Sequence, residues 1–213
     1  MIGATGAVGG EVVRALRDDP RVGRLTLIGR RHPDGVDGVE RVTADPLDPS
    51  TYAGALAGHD HAVCTLGVGQ PSKVPLAEYE RVDRDGVLAF ARACRASGVS
   101  GFTLLGSVGA DARSPSWYLR VKGELEDGLR GLGFARLGLF QPSMILTPTN
   151  RFGPLQGLLL ALTPLAAPLL MGPLRVYRGI PVDALGRAIA RDAVGDAPGV
   201  RVLTWDGIVE LAG

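Results

Sequence analysis

The chain is poor in lysine. Of its 23 basic residues only Lys73 and Lys122 are lysines, and the rest are arginines. Asparagine occurs once, at Asn150. This bias towards arginine reads as compositional rather than functional, and against it a retained lysine carries weight. Cysteine is also scarce. Cys64 and Cys94 each sit in an apolar run, which points to two buried free thiols rather than a disulfide. The three histidines, His32, His59 and His61, have no metal-ligand spacing. Neither sign of charge dominates. A net charge of +1, with the arginines dispersed and one adjacent pair at Arg30-Arg31, argues against a nucleic-acid-binding surface as the main activity. There is no unbroken membrane-spanning run. The uncharged stretch from Gly153 to Leu174 is interrupted by Pro154, Pro164, Pro168 and Pro173. Nothing resembles a signal peptide, so the expected compartment is the cytoplasm.

Glycine is abundant, with 31 residues, and proline contributes 15 more. Together they stay just under the level that marks low-complexity disorder. A hydrophobic fraction of 46% and a mean hydropathy of +0.17 provide for a sizeable core. The length suits one domain over residues 1–213, with residues 143–213 contributing a substrate-side lobe.

Short apolar runs alternate with helical periods. Leu25–Ile28, Val39–Thr43, Ala62–Leu66, Phe102–Leu105, Phe134–Phe140 and Val200–Leu203 read as strands. Val8, Val12, Val13 and Leu16 mark one face of a helix. Val82–Ala96 and Tyr118–Leu132 repeat apolar residues at helical spacing. Ile180–Ala193 reads as a strand end plus helix with Pro181 near its first turn, and Asp206–Leu211 as a terminal helix. The alternation predicts an α/β fold: a doubly wound parallel sheet with helices on both faces.

Gly3-Ala4-Thr5-Gly6-Ala7-Val8-Gly9 contains G-x-x-G-x-x-G. In so glycine-rich a chain chance supplies roughly 0.6 such motifs, so context must carry it. The helical face begins directly after Gly6, where a phosphate-binding turn feeds a helix N-terminus. Gly3, Thr5, Gly6, Ala7 and Val8 are the candidates for that turn, and Gly9 would let the helix pack close to the sheet. Only Met1-Ile2 stands before Gly3, against about five residues in an ordinary strand. Either the central strand is a stub or the chain start is misplaced.

In a dinucleotide-binding unit the end of the second strand meets the adenosine ribose. Here that strand runs into Gly29-Arg30-Arg31, with no acid before Asp34. A guanidinium pairs bidentately with a 2′-phosphate, so Arg30 and Arg31 favour NADP(H) over NAD(H). Asp45 is a candidate for the adenine amino group and Leu47 for the ring face; an ordinary helix cap is the alternative for Asp45.

Tyr118 and Lys122 stand at i, i+4 on one helix face. Chance gives about 0.04 such pairs here, which makes this the sharper signal. A phenol titrating near pH ~10 is a poor acid–base catalyst at neutrality. A fixed ammonium stabilises the phenolate, and a lysine can do so while bonding ribose hydroxyls. Ser107 follows the strand Phe102–Leu105, at the crevice end, and could orient a carbonyl; Ser114 and Ser116 are nearer Tyr118 in sequence.

These elements together resemble the short-chain dehydrogenase/reductase superfamily. Thr26–Arg31, Arg81-Val82-Asp83-Arg84-Asp85, Leu104–Asp111 and Tyr118-Leu119-Arg120-Val121-Lys122-Gly123-Glu124 resemble its atypical branch that contains the Tat-interacting, metastasis-suppressor oxidoreductase. The resemblance covers residues 1 to about 145 well. It implies a Rossmann-type fold and NADPH binding. Two departures stand out: Gly106-Ser107 where the pattern carries two serines, and Gln141-Pro142-Ser143 where it carries Arg-Pro-Gly. The second lies near the expected nicotinamide end, where Pro142 is a cofactor-binding candidate.

The expected activity is NADPH-dependent reduction of a small carbonyl substrate. Tyr118 would be proton donor, Lys122 would hold the ribose, Ser107 would orient the substrate, and Leu66, Gly67 and Val68 would flank ribose and nicotinamide. The uncharged Gly153–Leu174 segment would be an apolar lid. The alternative is an NADP(H)-binding sensor with little turnover, in which that segment is a homodimer or protein-partner surface.

Overall fold

A computed structural model describes residues 1–147 and 170–213. The main sheet contains strands β1 (Thr26–Gly29), β2 (Glu40–Thr43), β3 (His61–Cys64), β4 (Gly101–Leu105) and β5 (Arg136–Phe140). A short parallel pair follows, β6 (Ile145–Leu146) with β7 (Ile180–Pro181), and then β8 (Gly199–Leu203). β1 pairs with β2, while β3, β4, β5 and β8 lie in that order, every pair parallel.

Met1-Ile2 joins the two halves. Ile2 bridges in parallel to both Ile28 and Cys64. The Ile28 amide donates to Met1 O at 2.9 Å, and the Ile2 amide to Val63 O at 3.1 Å. Met1-Ile2 therefore occupies the place of the central strand, between β1 and β3. The order β2-β1-Ile2-β3-β4-β5-β8 reverses direction at Ile2, and a ligand crevice opens at such a switch point, beyond the strands' carboxyl ends. The Met1 ammonium is buried against Thr26 O, and burial lowers its pKa to about 6.

Helices cover both faces, which is why the strands carry apolar residues on each side. On one face lie α3 (Val87–Ala96) and α4 (Trp117–Arg130), packing Phe90, Leu125 and Leu129 on Phe102 and Leu137. On the other lie α1 (Ala7–Arg17), α5 (Val182–Val194) and α6 (Trp205–Ala212), packing Val12, Leu185, Ile189 and Ile208 on Leu27 and Phe140. Each fully buried side chain of this size contributes roughly 1.5–3 kcal/mol. α1 and α5 touch at Gly186, where any Cβ would overlap Glu11. This is a Rossmann-like α/β fold.

Most element ends shift by one or two residues from the sequence reading, and two helix starts differ in kind. The helix expected from Val82 begins earlier, as α2 (Leu76–Glu80), and passes through a π-type turn at Arg81–Gly86 before α3. A wider turn shifts the helical phase, so a 3.6-residue period cannot register it. Pro181 stands at the N-cap of α5, just outside the first turn. Both cysteines are free and buried.

Candidate active site

The glycine turn is built from two close approaches. Gly3 has φ +87° and lies against the Thr65-Leu66 backbone, where a Cβ would come within 2.5 Å of Leu66 N. At Gly9 a Cβ would overlap Gly3 O. Thr65 Oγ1 donates to that same carbonyl at 3.1 Å. Gly6 is the N-cap of α1, and a Cβ there would stand 3.4 Å from its nearest neighbour, Gly3 O. Among the described residues no side chain caps α1, and its first turn holds no acid. The first-turn N–H groups are thus left for an anion.

A cavity of about 610 Å³ opens at this helix end, and Thr5, Gly6, Ala7, Arg31 and His32 are among its lining residues. The turn and its first-turn amides suit a diphosphate, and the Arg31 guanidinium borders the same cavity. Arg30 does not line this cavity. Asp45 Oδ1 accepts from the Leu47 amide at 3.1 Å, so its carboxylate is engaged within its own turn. Leu47 packs on Gly86, where a Cβ would overlap its side chain.

Tyr118 and Lys122 lie on α4. Lys122 is only 7% exposed, so it is not a solvated surface lysine, whereas Tyr118 is half-buried. Lys122 Nζ donates to Asp83 Oδ1 at 2.9 Å. Asp83 is 3% exposed, and its Oδ2 accepts from the Val68 amide, also at 2.9 Å. One carboxylate therefore links the lysine of α4 to the loop after β3. Gly67 makes room, since a Cβ there would stand 3.0 Å from Asp83 Oδ1. The Tyr79 ring lies 5.8 Å from the Tyr118 ring, and Lys122 Nζ stands 5.9 Å from the Tyr79 centroid. The Tyr79 hydroxyl is buried and finds no hydrogen-bond partner among the described residues.

Asp83 and Tyr79 had no assigned role in the sequence reading. Asp83 sits inside a quoted motif, but a carboxylate between two arginines in a helix reads as solvated until the π-type turn buries it.

The loop after β4 is tied to α4. The Asp111 amide donates to Leu119 O at 3.2 Å, and Gly123 admits the Asp111-Ala112 backbone against the helix. Ser107 lies at the start of this loop, half-buried, its hydroxyl 3.5 Å from Val108 O. Ser114 Oγ accepts from the Ser116 amide at 3.3 Å, and Ser116 is the N-cap of α4. Those two serines build the start of the helix. The backbone carbonyl of Pro142 accepts from the Val108 amide at 3.0 Å, which holds Pro142 beside the Ser107 loop. Gln141 turns into α4, towards Glu126.

A further cavity, about 420 Å³, lies at the opposite end of the strands beneath Met1, between Leu25-Thr26 and His61–Val63. Neither Tyr118 nor Lys122 lines it. Among the described residues no cluster of His, Cys, Asp and Glu could hold a metal ion, and no helix is long and apolar enough to cross a membrane. The lid expected at Gly153–Leu174 lies largely outside the described residues.

A family profile described as NAD(P)H-binding matches residues 3–130. The chain is 36% identical to the protein HTATIP2 of Rattus norvegicus over 150 residues, 68% of this chain. It is 31% identical over 152 residues, again 68% of the chain, to the mitochondrial protein fmp52 of Emericella nidulans. The matched stretches span 62% and 65% of those relatives' own lengths. Among solved structures, MoeE5 in complex with UDP-glucuronic acid and NAD superposes with a TM-score of 0.73 at 19% identity. That superposition covers 95% of this chain and 74% of MoeE5, and it is a likeness of fold. The profile match and the similarity to HTATIP2, on a Rossmann-like sheet with a glycine turn at its switch point, place the chain in the NAD(P)H-binding family, as an atypical short-chain dehydrogenase/reductase of the HTATIP2 branch.

Proposed function

We propose that the protein is an NADPH-dependent reductase of a small carbonyl compound. The observation that carries this reading is the burial of Lys122 one helical turn from Tyr118, with its ammonium fixed against Asp83. A buried, oriented cation beside a half-buried phenol is an arrangement for acid–base work and a poor one for mere solubility.

In this reading the amides at Thr5–Val8 hold the diphosphate, and Arg31 binds the 2′-phosphate. Leu47 and Asp45 lie towards the adenine. Leu66, Gly67, Val68 and Pro142 flank the ribose and the nicotinamide. A bound reduced nicotinamide supplies hydride to the carbonyl carbon. Tyr118 gives its proton to the carbonyl oxygen, Lys122 holds ribose hydroxyls and stabilises the phenolate left behind, and Ser107 donates to the same oxygen to orient it. Residues 143–213 would contribute the substrate side.

The test is Tyr118→Phe, assayed for NADPH oxidation with a panel of aldehydes and ketones. Loss of about 10²-fold or more in kcat with NADPH affinity retained supports the role. Unchanged turnover removes it.

A second reading, an NADP(H)-binding sensor, draws on the exposed Met171, Leu174 and Tyr177, which are 69%, 51% and 54% accessible. Its mark would be calorimetric binding of NADPH with no substrate consumed across the panel.

A further inference from the structure

Among the described residues Asp83 is the carboxylate that touches Lys122, and it is inside the protein. Its two oxygens accept from two donors, the buried Lys122 ammonium and the half-buried Val68 amide, each at 2.9 Å. Cys64 and Tyr79 both lie beside this pair; burial pushes the Cys64 thiol up to about 12 and the Tyr79 hydroxyl well above its ordinary range, so neither adds a charge near neutral pH. A buried pair is weakly screened by salt, so each of its charges acts on whatever lies beside it.

The two oxidation states of a nicotinamide differ in charge at the ring: the oxidised ring is a cation and the dihydro ring is neutral. A lone lysine at the nicotinamide end would disfavour the oxidised form. A carboxylate paired with it offsets that repulsion. We infer that Asp83 sets the balance between oxidised and reduced nucleotide binding, by pinning Lys122 to the Leu66–Val68 loop and cancelling its charge there. The inference rests on the reading above that Lys122 holds the ribose and Val68 flanks the nicotinamide. Asp83 does not touch the reacting atoms; it is a positioning residue. Only a carboxylate suits the place, because a carboxamide has one acceptor oxygen for two donors and no charge.

The experiment measures dissociation constants for NADP⁺ and NADPH, by calorimetry at pH 8, in the wild type and in Asp83→Asn. The expected result is that the ratio Kd(NADP⁺)/Kd(NADPH) rises by roughly fivefold or more in the variant, as an uncompensated cation faces the oxidised ring. A purely structural role would weaken both nucleotides alike and leave the ratio unchanged, which overturns the inference. Asp83→Asn may be compared without its lysine if the single variant does not fold. Lys122→Met and the double variant Lys122→Met/Asp83→Asn then form the pair, and the ratio is again expected to rise on loss of the carboxylate. An equal ratio in those two proteins overturns the inference as well. These readings need no turnover, so their failure is separable from failure of the reductase reading, which Tyr118→Phe decides.

Discussion

Gln141 Nε2 donates to both carboxylate oxygens of Glu126, at 2.9 and 3.0 Å, and both side chains are buried. This contact accounts for two departures from the pattern of the resembling branch at once. Gly106 carries no side chain, and a Cβ there would press to within 3.2 Å of Glu126 Oε1. Gln141, read from sequence as a change near the nicotinamide end, fills a packing position between β5 and α4.

Burial raises the Glu126 carboxyl above its ordinary value, against the hydrogen bonds from Gln141 and Arg130. A carboxyl raised in the folded state binds more protons there than in the unfolded chain. Its contribution to stability is full below about pH 4.5 and is lost as pH climbs through the folded value. Glu126→Gln keeps the shape and removes the titration. Urea unfolding of the two proteins from pH 4 to pH 7 should show the variant gaining on the wild type as pH rises, by about 1.4 kcal/mol per unit of raised pKa. A constant difference across that range would show that Glu126 does not titrate there.

The glycine turn yields a contrast between neighbours. Gly9→Ala places a methyl on the Gly3 carbonyl, which the Thr65 hydroxyl also holds, so the turn must move. We expect a loss of about 2–4 kcal/mol, in the range of overpacking, together with loss of nucleotide binding. Gly6→Ala has φ −72° and 3.4 Å of room, so its melting temperature should stay close to that of the wild type. Thermal unfolding of both variants decides it, and equal effects at the two positions would contradict the assignment of Gly9 as the contact residue.

How much of this was legible in the sequence follows from what each signal depends on. The strand and helix order was readable because both faces of the sheet are covered, which makes Leu25–Ile28, Phe102–Leu105 and Phe134–Phe140 near-continuous apolar runs. Tyr118 and Lys122 were readable because their spacing is local. Asp83 was not, since its partners are 15 and 39 residues away and only the π-type turn brings it to them. Glu126 looked solvated beside Glu124, yet Glu124 pairs at the surface with Arg84 whereas Glu126 points inward. Two residues, about 200° of helical phase, separate those fates, not any difference in residue type.

The two arginines after β1 divide in the structure. Arg31 borders the cavity at the helix end and Arg30 does not. For a bidentate guanidinium on a 2′-phosphate, Arg31→Ala should weaken NADPH by about tenfold and leave NADH nearly unchanged. Arg30→Ala should do less to either. Calorimetry with both nucleotides on both variants measures this, and equal affinity of the wild type for NADPH and NADH would remove the preference itself.

The last prediction concerns acid stability, and it lies far from the site. His61 Nε2 is 2.7 Å from Thr103 Oγ1, whose hydroxyl donates to the buried carboxylate of Asp192, and Arg201 bonds that carboxylate as well. Burial, with Arg136 and Arg201 nearby, depresses His61 to about 3. The folded protein therefore keeps His61 neutral while the unfolded chain protonates it below about pH 6.5. The unfolded state binds more protons throughout that window, so stability must fall as pH drops from 6.5 towards 3, by up to about 1.4 kcal/mol per unit. Asp192 works the other way: burial raises it, so its contribution is lost as pH rises from about 3.8. His61→Gln isolates the first effect, because it keeps a donor for Thr103 and leaves Asp192 in place. The variant should be less stable than the wild type at pH 7, through lost packing, and the two curves should converge as pH falls towards 4.5. Parallel curves would mean that His61 is protonated in the folded protein, and that the Thr103 hydroxyl is bonded by an imidazolium.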